Sequence, residues 1–272
     1  MIKLEELISL AGINLTDFKI HCAVATGQPP TPLEAYYDGT FKEWQENQNR
    51  KNFPCSQVLS LIQLSDDHWL FAGLFSVHNV EPVQDENYTW YRYSTSEVTG
   101  LDHLVGRVVV DFKKKFRQSY LKGPLYKDRL LVGEVRRTRQ TIADFPSYQS
   151  VCISLRLLRT ILRQDIPSWR TALRNVAGVY LVTDRANGKA YVGSAYGDQG
   201  LWQRWSAYAD CGHGGNKELI DLLVDKGADY AHNFQFTILE VIDLNASQEH
   251  VFSRECHWKD VLMTRQFGYN SN

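Results

Sequence analysis

The stretch GVYLVTDRANGKAYVGSA, from Gly178 to Ala195, constrains this chain more than any other segment. Its flanks carry the Val, Tyr and Leu of strands, and Asn187-Gly188 between them supplies the positive φ angles that a tight turn needs. A β-hairpin is the expected result. Side chains alternate along a strand, so a turn about Arg185-Ala186 or about Asn187-Gly188 leaves Tyr180 and Tyr191 on the same face. The hairpin thus brings two phenols together, with Gly178 two residues before the first and Gly193 two residues after the second.

The rest of the C-terminal third reads as helix, loop, helix, strand and helix. GLWQRWSAYAD puts Leu201, Arg204, Trp205 and Tyr208 at helical spacing, and NKELIDLLVDKG opens on an Asn cap and closes at Gly227. FQFTILEVI is a buried strand, and Ser247 begins a long helix with Glu249 and His250 in its first turn. On that helix Val251, Glu255, Trp258 and Leu262 share one face, which places a carboxylate inside an apolar stripe. A buried carboxylate is costly unless it is paired or binds a metal. A Glu255–Arg204 ion pair between packed helices satisfies that requirement, and so does a polar site.

At this point the chain resembles a known family. GVY followed by YVG, an arginine on the next helix, a histidine beyond it, a glutamate in RECHW and an asparagine in a closing GYN are similar, in that order, to the GIY-YIG nuclease domain. The YVGSA, RW, FTILE and GYN stretches look most like its homing-endonuclease branch. The resemblance covers residues 176–272. It implies a small α+β domain, an antiparallel sheet flanked by helices, that hydrolyses phosphodiester bonds with Mg²⁺ or Mn²⁺. Glu255 matches the metal ligand and Arg204 the residue that steadies charge on the phosphoryl oxygens. Tyr191 matches the residue that orients or deprotonates the attacking water, and Tyr180 a supporting hydrogen bonder able to share the base role. His213 fits a histidine of some branches, and Asn270 the asparagine that fixes the site from behind. Two departures stand out. Tyr208 occupies a position that is His in the homing branch, and Ser194 follows YVG where other branches place a lysine.

The remainder of the chain reads as a targeting apparatus. Strand-like runs QVLSLIQL, HWLFAGLFSV, TWYRYST and GRVVVDF follow a TGQPPTP break at Thr26–Pro32. They predict a β-rich, barrel-like domain over 1–140, loosely similar to PUA-type modules that read modified bases. It holds twelve Phe, Trp and Tyr between Tyr36 and Tyr93, mostly expected in a core, with a base-stacking platform as the alternative. Charge is distributed by segment. Residues 105–175 carry 16 Lys and Arg against 5 Asp and Glu, although the whole chain has a net charge of −1. Such local density meets phosphates. Lys113, Lys114, Lys115, Arg117, Arg136, Arg137 and Arg139 are the candidate DNA contacts, and 141–175 reads as a basic helical connector whose helix spans 148–163.

Five scattered cysteines fit reduced thiols rather than a disulfide framework. Cys211-x-His213 with Cys256-His257 is spaced more tightly than ordinary structural zinc sites. No apolar run approaches the ~18 residues of a membrane span, so a cytoplasmic protein is expected. The reading is therefore a DNA endonuclease of restriction type, acting on a sequence or a modified base, with DNA as partner and a homodimer for double-strand cutting. A structure-specific repair nuclease and a catalytically decayed nucleic-acid-binding protein are the alternatives.

Overall fold

Two compact units divide the chain, residues 1–141 and 142–272. The computed structural model describes residues 1–26, 30–85, 88–115 and 117–271. Part of the Thr26–Pro32 break therefore lies outside the described residues. The fold is α+β, and no helix among the described residues is long and apolar enough to cross a membrane.

The first unit is a mixed sheet with helices against it. Its strands are β1 (Phe18–Ala23), β2 (Asn47–Gln48), β3 (Gln57–Ser65), β4 (His68–Asp85), β5 (Tyr88–Glu97), β6 (Val108–Asp111), β7 (Tyr120–Lys122) and β8 (Leu131–Val135). Its helices are α1 (Leu4–Leu10), α2 (Pro32–Asp38), α3 (Phe41–Glu46) and α4 (Gly123–Tyr126). The order is β2-β5-β4-β3-β1-β7, with β6 on β4 and β8 on β6. Among the described residues only β1 and β3 pair in parallel. The long β4 makes this branching work, because β6 takes its first residues and β5 takes the remainder of the same edge.

The expected barrel is not seen, since the pairings among the described residues leave the sheet open. Closure needs edge strands long enough to meet, and β2 and β7 are only 2 and 3 residues long. Leu4 and Ile8 of α1 pack with Ile20, Leu61, Trp69 and Phe71 on one face. Ala35 and Phe41 pack with Leu70 and Phe75 on the other. Half of the twelve aromatics are core, with Phe41, Phe53, Trp69, Phe71, Phe75 and Tyr93 buried, whereas Tyr36, Tyr37, Trp44, Trp90 and Tyr91 are half-buried and Tyr88 is exposed.

Several polar groups are buried in this unit, among them Gln45, Ser60 and His21. His21 of β1 is 1% exposed, its ring stacked on Tyr120 at 4.8 Å and on Trp44 at 5.9 Å. Its Nδ1 donates to Gln45 Oε1 at 2.9 Å. Burial pushes the imidazole down to about 4 from an ordinary 6.5, against the Gln45 hydrogen bond. Between those values the unfolded chain binds the proton and the folded one does not, so stability rises with pH from about 4 to 6.5 and is flat above. On acidification from pH 7 to pH 4, the unfolding free energy of the wild type falls by about 3 kcal/mol more than that of His21→Phe. Urea midpoints at the two pH values check this, and equal losses would refute it.

The second unit has its own four-stranded sheet, ordered β11-β10-β12-β9 and antiparallel throughout. Its strands are β9 (Cys152–Ser154), β10 (Val176–Asp184), β11 (Ala190–Ala195) and β12 (Phe234–Asp243). Its helices are α5 (Leu155–Arg163), α6 (Pro167–Arg174), α7 (Gly200–Cys211), α8 (Lys217–Lys226), α9 (Gln248–Val261) and α10 (Thr264–Phe267).

Residues 142–175 are built into this unit rather than strung out as a connector. Helix α5 begins later than the 148–163 reading, because residues 152–154 join the sheet beside β12 and Ser154 caps the helix at Leu157. Leu155, Leu158, Ile161, Trp169 and Leu173 are buried. Arg159 is spent locally, its Nε donating to the Ala209 carbonyl of α7 at 2.7 Å.

The candidate DNA contacts lie in two loops of the first unit. Antiparallel pairing sets Asp111 opposite Leu131 and Val108 opposite Val135, so Lys113, Lys114, Lys115 and Arg117 follow one end of the β6–β8 pair. Arg136, Arg137 and Arg139 follow its other end. Arg136 pairs with Glu134 at 3.2 Å and Arg139 with Asp102 at 3.4 Å. Within the first unit the candidate contacts thus form two patches and not one strip.

Candidate active site

The hairpin of β10 and β11 turns through Arg185–Gly188, with Asp184 N donating to the Lys189 carbonyl and Gly188 N to the Asp184 carbonyl. Tyr180 lies opposite Gly193, and Val182 opposite Tyr191, so both tyrosines do share a face. The same register explains Gly193. A Cβ there would lie 2.5 Å from Tyr180 Oη and 2.8 Å from a Tyr191 ring carbon. Gly178 has a similar reason, since its Cβ would come 2.4 Å from the Glu240 carbonyl, near the irregular register between β10 and β12. The glycines are bare so that the tyrosine ring and the neighbouring strand can close over them.

Tyr180 is fully buried and points at α7. Its Oη accepts from Arg204 Nε at 2.8 Å and shares a hydrogen bond with Tyr208 Oη at 3.2 Å. Burial drives the phenol pKa well above its ordinary range for both tyrosines, although the Arg204 charge opposes it. Tyr180 therefore stays protonated and serves as a bracket. Arg204 is gripped a second time, Nη1 donating to the Gly214 carbonyl at 2.6 Å, and its guanidinium lies over the Tyr208 ring. Its third nitrogen makes no hydrogen bond among the described residues.

Glu255 arrives from the opposite face of the sheet, on α9. Strand alternation puts Ser194 on that face, and Ser194 Oγ donates to Glu255 Oε2 in a short contact. Lys259, one turn further along α9 and 5% exposed, holds Oε1 at 2.8 Å. The expected Glu255–Arg204 pair is absent among the described residues, because each group has found a closer partner. Tyr191, Ser194, Arg204 and Glu255 all line one cleft of about 490 Å³, together with Tyr196, Gln203 and Phe252. Its lining draws on both faces of β11, an edge strand, so the cleft crosses that edge. Tyr191, in that lining, makes no side-chain hydrogen bond to a described residue.

Asn270 and His213 are outside the cleft lining. Asn270 is 3% exposed and stands in for a fifth strand: Val192 N donates to its Oδ1 and its Nδ2 donates to the Val192 carbonyl, each at 2.8 Å. It pins β11 between Tyr191 and Gly193. Asn270→Ala strips both partners from a buried peptide, and thermal or urea unfolding should register a loss of about 2–4 kcal/mol. Asn270→Asp, which sets a carboxylate oxygen against the Val192 carbonyl away from water, should lose at least as much at neutral pH, and a wild-type midpoint for the alanine variant would refute the role. His213 sits in the loop after α7, where its Nδ1 accepts from Gly215 N at 3.0 Å. The neighbouring Gly214 supplies the carbonyl that holds Arg204. Cys211 Sγ approaches His213 Nδ1 at 3.5 Å, but no group of three or more His, Cys, Asp and Glu gathers among the described residues.

Sequence reasoning missed Lys259, the Ser194 contact and the Tyr180–Tyr208 bond. The Glu255–Lys259 spacing of four was the available signal for the first, being the stabilising order on a helix. Nothing local announces the other two, which depend on how β11 and α7 meet α9 and β10.

No family model and no curated protein matches the chain. Among solved structures it is similar to a point mutant of the catalytic domain of the intron endonuclease I-TevI, with 25% identity, 36% of this chain and 94% of that chain covered, and a TM-score of 0.29. It is also similar to the catalytic domain of the homing endonuclease I-TevI, with 28% identity, 35% of this chain and 96% of that chain covered, and a TM-score of 0.28.

Proposed function

We propose that the second unit is a metal-dependent DNA endonuclease site and that the first unit chooses the target, as in a restriction enzyme for a particular sequence or modified base. The observation that carries this reading is the convergence of Tyr191, Arg204 and Glu255 on one cleft, with Tyr180 and Asn270 bracing it from behind.

The donor set suits Mg²⁺ or Mn²⁺. Mg²⁺ keeps several waters and is commonly held by one or two carboxylates plus substrate phosphate, and Glu255 supplies one carboxylate at an open wall. An all-protein cage of the Ca²⁺ or structural Zn²⁺ kind is not offered among the described residues. When bound, such an ion polarises a phosphoryl oxygen and acidifies water.

The chain's own residues then divide the work. Arg204, with two nitrogens fixed, presents the third to the phosphoryl oxygens, where charge grows in the transition state. Tyr191 orients the attacking water and accepts or relays its proton. Tyr180 does not act as the base, since its buried phenol already bonds Arg204 and Tyr208. Ser194 and Lys259 hold the Glu255 carboxylate in place. His213 acts through its loop. Lys113, Lys114, Lys115, Arg117, Arg136, Arg137 and Arg139 supply salt-sensitive contacts to the duplex backbone, and a second copy of the chain supplies the second cut.

The test is Mg²⁺-dependent cleavage by the full chain of plasmid and phage DNAs carrying unmodified, methylated or hydroxymethylated cytosine. Cutting of one class supports both parts of the reading. Cutting of junctions alone moves it to a structure-specific repair nuclease. Salt-sensitive binding without cutting of any substrate moves it to a binding protein on a nuclease scaffold.

A further inference from the structure

The cleft holds two aromatic rings that the mechanism above leaves idle. Tyr196 and Phe252 are 44% and 42% exposed, both line the cleft, and they meet edge to face at 5.3 Å and 89°. A large ring in solvent wastes its capacity for burial, and two of them in contact on the wall of one cleft need a reason. Their placement follows from the elements that carry Ser194 and Glu255. Tyr196 is two residues beyond Ser194 and Phe252 is one helical turn before Glu255, so the aromatic pair repeats the polar pair one step along the cleft. Gln248, on the same helix, donates to Tyr196 Oη at 3.3 Å and steadies the ring.

We propose that Tyr196 and Phe252 form a stacking platform that takes a nucleobase drawn out of the helix beside the scissile phosphate. This rests on the reading of the cleft as a nuclease site. With the rings at right angles, the open π-face of one receives the base while the edge of the other borders it. Every base has such a face, so the platform favours local unpairing over any particular base. The substrate it selects is a duplex that opens readily at the cut, such as one carrying a mismatch there.

The test uses the full chain as Tyr196→Ala/Phe252→Ala, with Phe252→Leu to keep apolar bulk without a ring and Phe252→Tyr to restore one. On the cleaved duplex, kcat/KM should fall roughly 5- to 150-fold in the double variant, the range expected for one stacked base. It should fall partially in Phe252→Leu and stay near wild type in Phe252→Tyr. A mismatch at the cut should recover part of the loss. In a Glu255→Gln background, 2-aminopurine moved stepwise through the oligonucleotide should change fluorescence on binding at a position next to the cut, and the double variant should abolish that change. Unaltered cleavage with an unaltered fluorescence pattern overturns the platform. If wild type cuts nothing, the fluorescence arm on single-stranded oligonucleotide decides alone. A position-specific change lost in the double variant keeps the platform and removes only the nuclease reading, whereas identical signals, or no binding by either protein, overturn the platform.

Discussion

Glu255→Ala should abolish cleavage and also loosen the second unit, and the two effects should separate by a second substitution. The carboxylate faces the Lys259 ammonium at 2.8 Å, and the lysine side chain is only 6% exposed. Removing one member of such a pair costs on the order of 3 kcal/mol, because the charge left behind has lost its counterpart away from water. Glu255→Ala/Lys259→Met should recover that stability without recovering cleavage. Glu255→Gln, which still offers an oxygen to Ser194 and Lys259, should sit nearer wild type in urea yet lose cutting by roughly a thousandfold or more, since a neutral amide holds a divalent cation poorly. The decisive comparison is single-turnover cleavage beside urea midpoints. A Glu255→Gln protein cutting within tenfold of wild type would remove Glu255 from the chemistry.

Arg204 should show a different signature. Its guanidinium bridges Tyr180 Oη and the Gly214 carbonyl while leaving a third nitrogen for the cleft. Arg204→Ala should lower kcat about 100- to 1000-fold, the effect of removing one preorganised donor to developing charge. Arg204→Lys should do little better, because an ammonium on a flexible stem cannot reach both anchors and still face the cleft. Tyr180→Phe should cost less, and it should leave the shape of the pH–rate profile unchanged, because a phenol whose pKa burial has raised is not the titrating base. Tyr191→Phe should lower kcat more than Tyr180→Phe does, since the Tyr191 hydroxyl is the one assigned to the attacking water. Full activity in Arg204→Lys would place the arginine outside the transition state.

The hairpin was readable because its information is local. Alternation and Asn-Gly fix which residues share a face wherever the sheet later packs, and Tyr180 and Tyr191 obey that rule. Ser247 as a cap and the Leu201, Trp205 and Tyr208 stripe are of the same kind. What could not be read is nonlocal. The parallel pairing of β1 with β3 joins residues about forty positions apart, and FKIHCA has no alternation to mark it, with five of its six residues buried. Likewise the sequence offered Glu255 an arginine on another helix or a metal, and did not point to Lys259 on its own helix. Burial of Lys259 settles it, and that burial depends on how α9 packs.

Asn270 has one more consequence, which concerns what the molecule avoids in concentrated solution. An edge strand is a ready template for a strand from another copy, and β11 is such an edge. By bonding both the N–H and the C=O of Val192, the Asn270 amide occupies the rung where an incoming strand would register. A side chain that closes a ladder in this way ends the sheet without lengthening it. It keeps the edge beside the cleft from pairing with a second molecule of the same protein.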